Sequence, residues 1–352
     1  MPSLADEYLI DNLKKYKTVH YHNQPHSVWH RVLVARRSSV FVLLFLGALG
    51  EWRVVLTKRS SKLRNFPGHI SLPGGKADTA LETEWEVARR EMCEEIGIEA
   101  NDDTLWKNWR VAIERVNILP CYLSRTFSAV SPCVGILRFS KNKGESEIIN
   151  KLTLNLNPGE SSNIFSCPLR DFIYPAGEDK PLESMERSYN KVKWGGIPWN
   201  LRSYVFLQDV PNEVQWLRDI KDLSASEDES QNDSDDIGHS NKPKNRKVRL
   251  SSWGNLGSRR HSETNEKVYD VWGLTANILH DLASIIYTGK ADSVVGEEEL
   301  IYSIWEEGNL MRTKERSEAE QKLIRAGPGD PFGFNSILPR TEFNRLKNIY
   351  KL

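Results

Sequence analysis

The apolar positions change period several times along the chain, and the changes divide it into elements. Val40 to Leu49 is an apolar run rich in β-formers, too short for a membrane helix, which needs about 20 residues. It reads as a buried central strand, paired across the Gly50-Glu51 turn with a second strand at Trp52 to Thr57. From Leu81 to Ile96 the period changes: Leu81, Trp85, Ala88, Met92 and Ile96 recur at intervals of four, three, four and four, as in an amphipathic helix. Gly97 closes that helix as a left-handed cap. Cys121 to Phe127 and Ser131 to Phe139 read as two further strands, and Leu156 to Phe165 as a polar loop entering another. Trp194 to Trp199 is a turn between apolar segments, followed by the strand-like Tyr204 to Leu207. Val268 to Leu279 starts as a strand and turns helical, with Leu274, Ile278, Leu282 and Ile285 on one face.

Composition narrows the class. The chain has 352 residues with 48 basic and 48 acidic side chains, a balance that argues against a dedicated nucleic-acid binder and makes any phosphate recognition local. The four cysteines, Cys93, Cys121, Cys133 and Cys167, form no C-x-x-C pair and read as buried thiols of a reducing compartment. Met1 to Tyr16 is polar and reads as a short helix, with no secretory signal. Around Ser224 to Arg249 an acidic, serine-rich block runs into a basic one with few apolar residues, so this stretch is expected to be disordered. A nucleic-acid or scaffold role for that insertion would make the glutamates upstream dispensable; the reverse is expected.

The candidate chemistry sits on the predicted helix. Glu91 and Glu95 stand one turn apart with Glu94 on the same side, and Arg90 can relieve Glu94 but no lysine is placed to relieve Glu95. Taken alone, the helix fits either a solvated acidic face or a cation site. Hard oxygen ligands without His or Cys select Mg²⁺ or Mn²⁺. Leu72-Pro73-Gly74-Gly75 just upstream reads as a strand end entering a turn, where Gly74 and Gly75 let backbone approach a ligand. The pairing of this turn with the acidic helix favours a site.

These residues resemble the Nudix box, G-x5-E-x7-R-E-U-x-E-E-x-G-U with U aliphatic: Gly75, Glu82, Arg90, Glu91, Glu94, Glu95 and Gly97 supply its letters, with six residues in place of five between Gly75 and Glu82. The extra residue sets Glu82 apart from the helical glutamates. Immediately upstream, Val55-Leu56-Thr57-Lys58-Arg59-Ser60, Arg64, Gly68 and Leu72-Pro73-Gly74-Gly75 resemble the coenzyme A motif L-L-T-x-R-S-x3-R-x3-G-x3-F-P-G-G of Nudix coenzyme A diphosphatases, with Val55 and Leu72 as apolar exchanges.

The resemblance implies an α/β fold, the Nudix α/β/α sandwich with a mixed sheet, interrupted by a disordered charged insertion and followed by a C-terminal extension. The expected division is an N-terminal helical segment at 1–35, the main part of the domain at 36–222, the insertion at 223–266, the closing strand and helix at 267–290, and the extension at 291–352. It implies hydrolysis of the pyrophosphate bond of coenzyme A and its derivatives. Glu91, Glu95 and Glu94 would hold Mg²⁺ or Mn²⁺, and Arg90 would orient a glutamate. The resemblance implies that the general base would be Glu91 or Glu160, and that Arg59, Arg64, Gly68, Gly74 and Gly75 would bind substrate. Alternatives are a Nudix hydrolase of oxidised or ordinary nucleoside triphosphates and a non-catalytic binding module. The expected partner is a small molecule, with no nucleic acid and no membrane. Fungal members of this branch imply a peroxisomal location, against a cytoplasmic alternative. The terminal Tyr350-Lys351-Leu352 loosely resembles the tripeptide read by a peroxisomal import receptor.

Overall fold

The computed structural model describes residues 8–140, 152, 154–175, 180–218, 220, 223, 257–327 and 330–351. In chain order its strands are β1 (Arg37–Leu46), β2 (Trp52–Arg59), β3 (Ile70–Ser71), β4 (Gly74–Lys76), β5 (Val111–Ile118), β6 (Tyr122–Leu123), β7 (Ala129–Phe139), β8 (Ser161–Pro168), β9 (Ser184–Trp194), β10 (Ile197–Leu207), β11 (Gly257–Arg260) and β12 (Lys267–Trp272). The α-helices are α1 (Ile10–Lys15), α2 (Glu84–Ile96), α3 (Asp102–Trp109), α4 (Gln215–Arg218), α5 (Gly273–Thr288), α6 (Glu298–Glu306), α7 (Glu318–Arg325) and α8 (Arg340–Ile349).

β1 is central, as its unbroken apolar run requires. It pairs antiparallel with β2 and β4 and parallel with β7, which makes an eight-stranded sheet mixed. Alternation sends its side chains into two cores. Phe41, Leu43 and Phe45 pack with Ala88, Met92 and Ile96 of α2, while Val42 and Leu44 pack with Ile278, Leu282 and Ile285 of α5. The sheet is thus sandwiched between the box helix and the closing helix. A second, antiparallel sheet, β11-β12-β10-β9, adds Tyr204 and Phe206 to the α5 side.

α2 begins three residues later than the period suggested. Thr83 is its N-cap in a capping box with Glu86, and Gly97 closes it at φ 77°. Leu81 therefore lies outside the helix and is 92% exposed, while Val87 takes a buried place on the apolar face. The strand expected at Cys121 to Phe127 shrinks to β6, because Ser124 to Ser128 turns back through backbone hydrogen bonds of 3.0 and 2.9 Å, with Phe127 at φ 58°. β5 and β9 had no signal in the apolar pattern, since each carries charges along its length: Glu114 and Arg115 in one, Glu186, Arg187, Lys191 and Lys193 in the other.

The insertion expected at 223–266 needs correction at its end. β11 pairs with β12 from Gly257 to Arg260, and His261 accepts Asn265 N–H at 3.0 Å in a turn. Order there comes from the ladder, which a polar composition does not forbid. Residues 224–256, including the charged blocks, lie outside the described residues.

The N-terminal segment and the extension share a third core. Val28 and Trp29 pack with Ile301, Ile304, Phe334, Leu346 and Tyr350 around the turn residues Trp194 and Ile197. Buried Glu298 of α6 holds this region together, accepting Ser27 Oγ at 2.7 Å, Val28 N at 2.9 Å and Cys121 N at 3.1 Å. Tyr350 of the terminal tripeptide is a packing residue whose hydroxyl accepts Leu300 N at 3.2 Å; Leu352 lies outside the described residues. Cys121, Cys133 and Cys167 are buried free thiols and Cys93 is half-buried.

β6 is tied to α5 by Tyr122, whose hydroxyl donates to buried Asp281 at 2.7 Å. Burial pushes the Asp281 carboxyl up to about 6, against the pull of Tyr122 and Arg202. Between its ordinary 3.8 and 6 the folded chain keeps a proton that the unfolded chain has released, so this group's contribution to stability declines as pH rises through that window. D281N cannot titrate, and should gain stability relative to wild type as pH rises from 4 to 6 in chemical denaturation. A stability difference that stays flat with pH contradicts the assignment.

Candidate active site

β4 and α2 build the site between them. β4 lies against β1, and its glycines are required by close approach: a Cβ on Gly74 would run into the Ser39 carbonyl and Val40, and one on Gly75 into the Glu91 carboxylate. Gly74 and Gly75 therefore form a paired strand in place of the expected free turn. The Gly74 N–H donates to Glu95 at 3.3 Å. Backbone and helix converge as expected, with the glycines making room for carboxylates.

Arg90 organises the helix. Its guanidinium reaches Glu82 at 2.9 Å, Glu91 at 3.0 Å, Glu94 at 3.4 Å and the Lys76 carbonyl at 2.8 Å. Burial works against its charge, but the bonds to Glu82 and Glu91 outweigh it and raise its pKa. Glu82 joins the network despite the lengthened loop: its other oxygen accepts Asp78 N at 2.7 Å and Thr79 N at 3.2 Å. The inserted residue is absorbed in a turn that Glu82 closes. Glu82 therefore belongs with the helical glutamates despite the extra residue before it, as the first glutamate of the box pattern signals.

The carboxylates left in excess are Glu91, Glu95 and Glu160. Ser60 N donates to the Glu160 carbonyl at 2.9 Å, which brings the loop before β8 beside the end of β2. Burial raises the Glu91 carboxyl against Arg90, with repulsion from Glu94 and Glu160 adding. Burial likewise pushes Glu95 up to about 8, opposed by Arg59 and the Gly74 N–H and reinforced by Glu91 and Glu160. One oxygen of Glu160 is buried with no hydrogen-bond partner. Glu94 does not share this convergence: its side chain is 50% exposed and turned to Arg90.

An orphaned buried carboxylate oxygen, two carboxyls strained by burial and a glycine that clears space in front of one of them fit a divalent cation. Among the described residues no three acidic, histidine or cysteine side chains close a cage by themselves. A cation held here would need waters or substrate phosphates to complete its ligands, as Mg²⁺ commonly takes.

Beside these carboxylates opens a cleft of about 590 Å³. Arg59, Lys76, Arg125 and Arg316 line it, and among the described residues no Asp or Glu does. At the Arg59 end, His69 packs between Phe66 and Trp272 and is held to about 4 by burial and by Arg59, hence neutral near pH 7. Trp194 lines the cleft with its ring packed on Phe127 and Phe334 and its indole donating to the Leu323 carbonyl.

Of the residues expected to bind substrate, Arg59, Gly74 and Gly75 line the cleft. Arg64 is exposed on the neighbouring loop, outside the cleft lining. Gly68 is a turn residue at φ 71° whose carbonyl meets Ser258 N at 3.4 Å, which docks β11 on the loop. Lys76, Arg125 and Arg316 were not foreseen, since Arg125 and Arg316 reach the cleft only by tertiary folding. Lys76, directly after the glycine pair, was legible.

A mixed sheet whose carboxylate-bearing helix meets a cation-lined cleft suits a polyanionic, phosphate-bearing substrate. Residues 35–176 match the NUDIX domain. Over 341 residues the chain is 36% identical to peroxisomal coenzyme A diphosphatase 1 of Saccharomyces cerevisiae, spanning 91% of this chain and 90% of the relative. It is 36% identical to mitochondrial Nudix hydrolase 15 of Arabidopsis thaliana over 45% of this chain and 48% of that protein. With peroxisomal coenzyme A diphosphatase NUDT7 of Mus musculus it shares 29% identity over 41% of this chain and 51% of the relative. The chain belongs to the Nudix hydrolase family.

The Gly75 contact yields a test. Gly75 does not have a positive φ, so G75A should fold with a melting temperature near wild type while its methyl displaces the Glu91 carboxylate. Turnover should fall by about 100-fold, the cost of a misplacement of about 1 Å. Wild-type turnover in G75A would contradict the geometry.

Proposed function

We propose that this protein hydrolyses the pyrophosphate bond of coenzyme A and its derivatives, releasing 4′-phosphopantetheine or its acyl form and adenosine 3′,5′-bisphosphate. The observation that carries the reading is a cleft lined by four cations and, among the described residues, no carboxylate, set against an acidic cluster. Such a cleft selects a polyanion, and the adjoining carboxylates supply what cleaving one requires. The yeast relative, alike over nearly its whole length, supports the same substrate.

In this reading Glu91, Glu95 and Glu160 hold Mg²⁺ or Mn²⁺, with Glu94 acting through Arg90 or a water. An ion held there would supply Lewis acidity toward the pyrophosphate oxygens and would lower the pKa of a bound water. Arg90 fixes the Glu91 rotamer through their 3.0 Å bond, and the Gly74 N–H fixes Glu95. Arg59 neutralises the pyrophosphate from the cleft side. Glu91 or Glu160 accepts the proton as the water oxygen bonds to one phosphorus and the bridging oxygen leaves with the other. Arg64 adds long-range attraction from the exposed loop, and Gly68 shapes that loop. The reading extends to a peroxisomal location, supported by the names of the yeast and mouse relatives.

Incubation with coenzyme A and Mg²⁺ or Mn²⁺, with both fragments identified by mass, should give the two products named above. E91Q and E95Q should each lose more than about 100-fold in kcat, above the cost of losing a group that only orients a ligand. Cleavage of oxidised deoxynucleoside triphosphates with coenzyme A left intact would overturn the substrate, and near-normal rates in both variants would overturn the site.

A further inference from the structure

The cleft has a second charged end, built partly by the extension. Arg316 lies between α6 and α7, and its Nε donates to the Thr126 carbonyl at 2.8 Å, which fixes the guanidinium at the cleft wall opposite β4. Next to Thr126, Arg125 donates to the Ile324 and Ala326 carbonyls at 2.9 and 3.0 Å and lies over the Trp194 ring at 4.8 Å, clamping α7 along the same wall. Lys76 faces this group from β4. Burial lowers the pKa of both Lys76 and Arg316; Arg36 repels each of them, and Lys314 and Arg316 also repel Lys76. The acid beside them, Glu320, is committed to Arg36 in a buried pair at 3.0 Å.

Cations gathered in a cleft wall whose one neighbouring acid is already paired to Arg36 cost free energy that an anionic ligand returns. The scissile pyrophosphate does not fill that role. In the coenzyme A reading its place is over Gly74 and Gly75, beside Glu95, Glu91 and Arg59, whereas Lys76 follows Gly75 on β4 and has Arg316 and Lys314 of the extension among its charged neighbours. A ligand that satisfies both ends carries two separate anionic groups.

We propose that Lys76 and Arg316 form a subsite for a phosphate monoester set apart from the scissile pyrophosphate, the ribose 3′-phosphate of coenzyme A, so that the C-terminal extension is a specificity element of the site. The assignment rests on the coenzyme A reading above. Arg316 grips two phosphate oxygens with its planar fork, and Lys76 adds a mobile point charge.

The test compares kcat/KM for coenzyme A and for 3′-dephospho-coenzyme A in wild type, R316Q, R316K and K76Q. The ratio between the two substrates should fall about 10-fold in R316Q and several-fold in K76Q, the scale of a lost charge-assisted hydrogen bond. R316K keeps the charge but loses the planar fork and the Thr126 bond, so its ratio should fall between those of wild type and R316Q. Equal loss on both substrates in R316Q, or a loss in R316K as large as in R316Q, overturns the subsite. If wild type cleaves neither substrate, the coenzyme A reading fails instead. Calorimetric binding of adenosine 3′,5′-bisphosphate against adenosine 5′-monophosphate then decides the subsite: a preference for the bisphosphate that R316Q abolishes supports it, and no preference in wild type refutes it.

Discussion

Three carboxylates with too few cations between them set the terms for this molecule. Arg90 is spent on Glu82, Glu91 and Glu94, and Arg59 is left facing Glu95. Burial and mutual repulsion raise Glu91 and Glu95, and one Glu160 oxygen has no partner. A fold optimised for stability alone would not retain this arrangement, because uncompensated buried charge is among the costlier features a core can hold. The surroundings are arranged to tolerate it: the capping box and left-handed cap of α2 hold the glutamates in register, and the glycine pair of β4 clears the space before them.

The two faces of β1 explain how one strand serves both stability and site. Phe41, Leu43 and Phe45 anchor α2, so the acidic face of that helix is directed by the packing of its apolar one. Val42 and Leu44 anchor α5, whose first turn reaches the cleft beside Trp272. The extension then closes the far wall. Glu298, the Arg36–Glu320 pair and Arg125 hold it against the N-terminal segment and the loop after β6, so residues nearly 200 positions apart in sequence share one wall.

Much of this was legible in the residues. Local chemistry wrote α2, its Gly97 cap and the buried β1 plainly, and the acidic helix read as a candidate site only once the Gly74-Gly75 turn was set beside it. Leu81 misled because an apolar residue in phase with a helix need not belong to it when Thr83 offers a better cap. β5 was silent because a bulge between Arg115 and Asn117 breaks its alternation, and β9 because none of its residues between Ser184 and Trp194 is buried. Arg316 and Arg125 were out of reach, since neither lies in a motif and both arrive by tertiary contact. Glu160 was visible only through the family resemblance, and its orphaned oxygen now gives it a physical reason.

The central claim is that Glu91, Glu95 and Glu160 together hold a divalent cation. Mn²⁺ binding to the substrate-free protein, followed by electron paramagnetic resonance, tests it most directly when wild type is set beside E91Q, E95Q and E160Q. The account predicts that wild type binds Mn²⁺ and that each substitution weakens it by about 10-fold or more. Undiminished Mn²⁺ affinity in all three variants would contradict it.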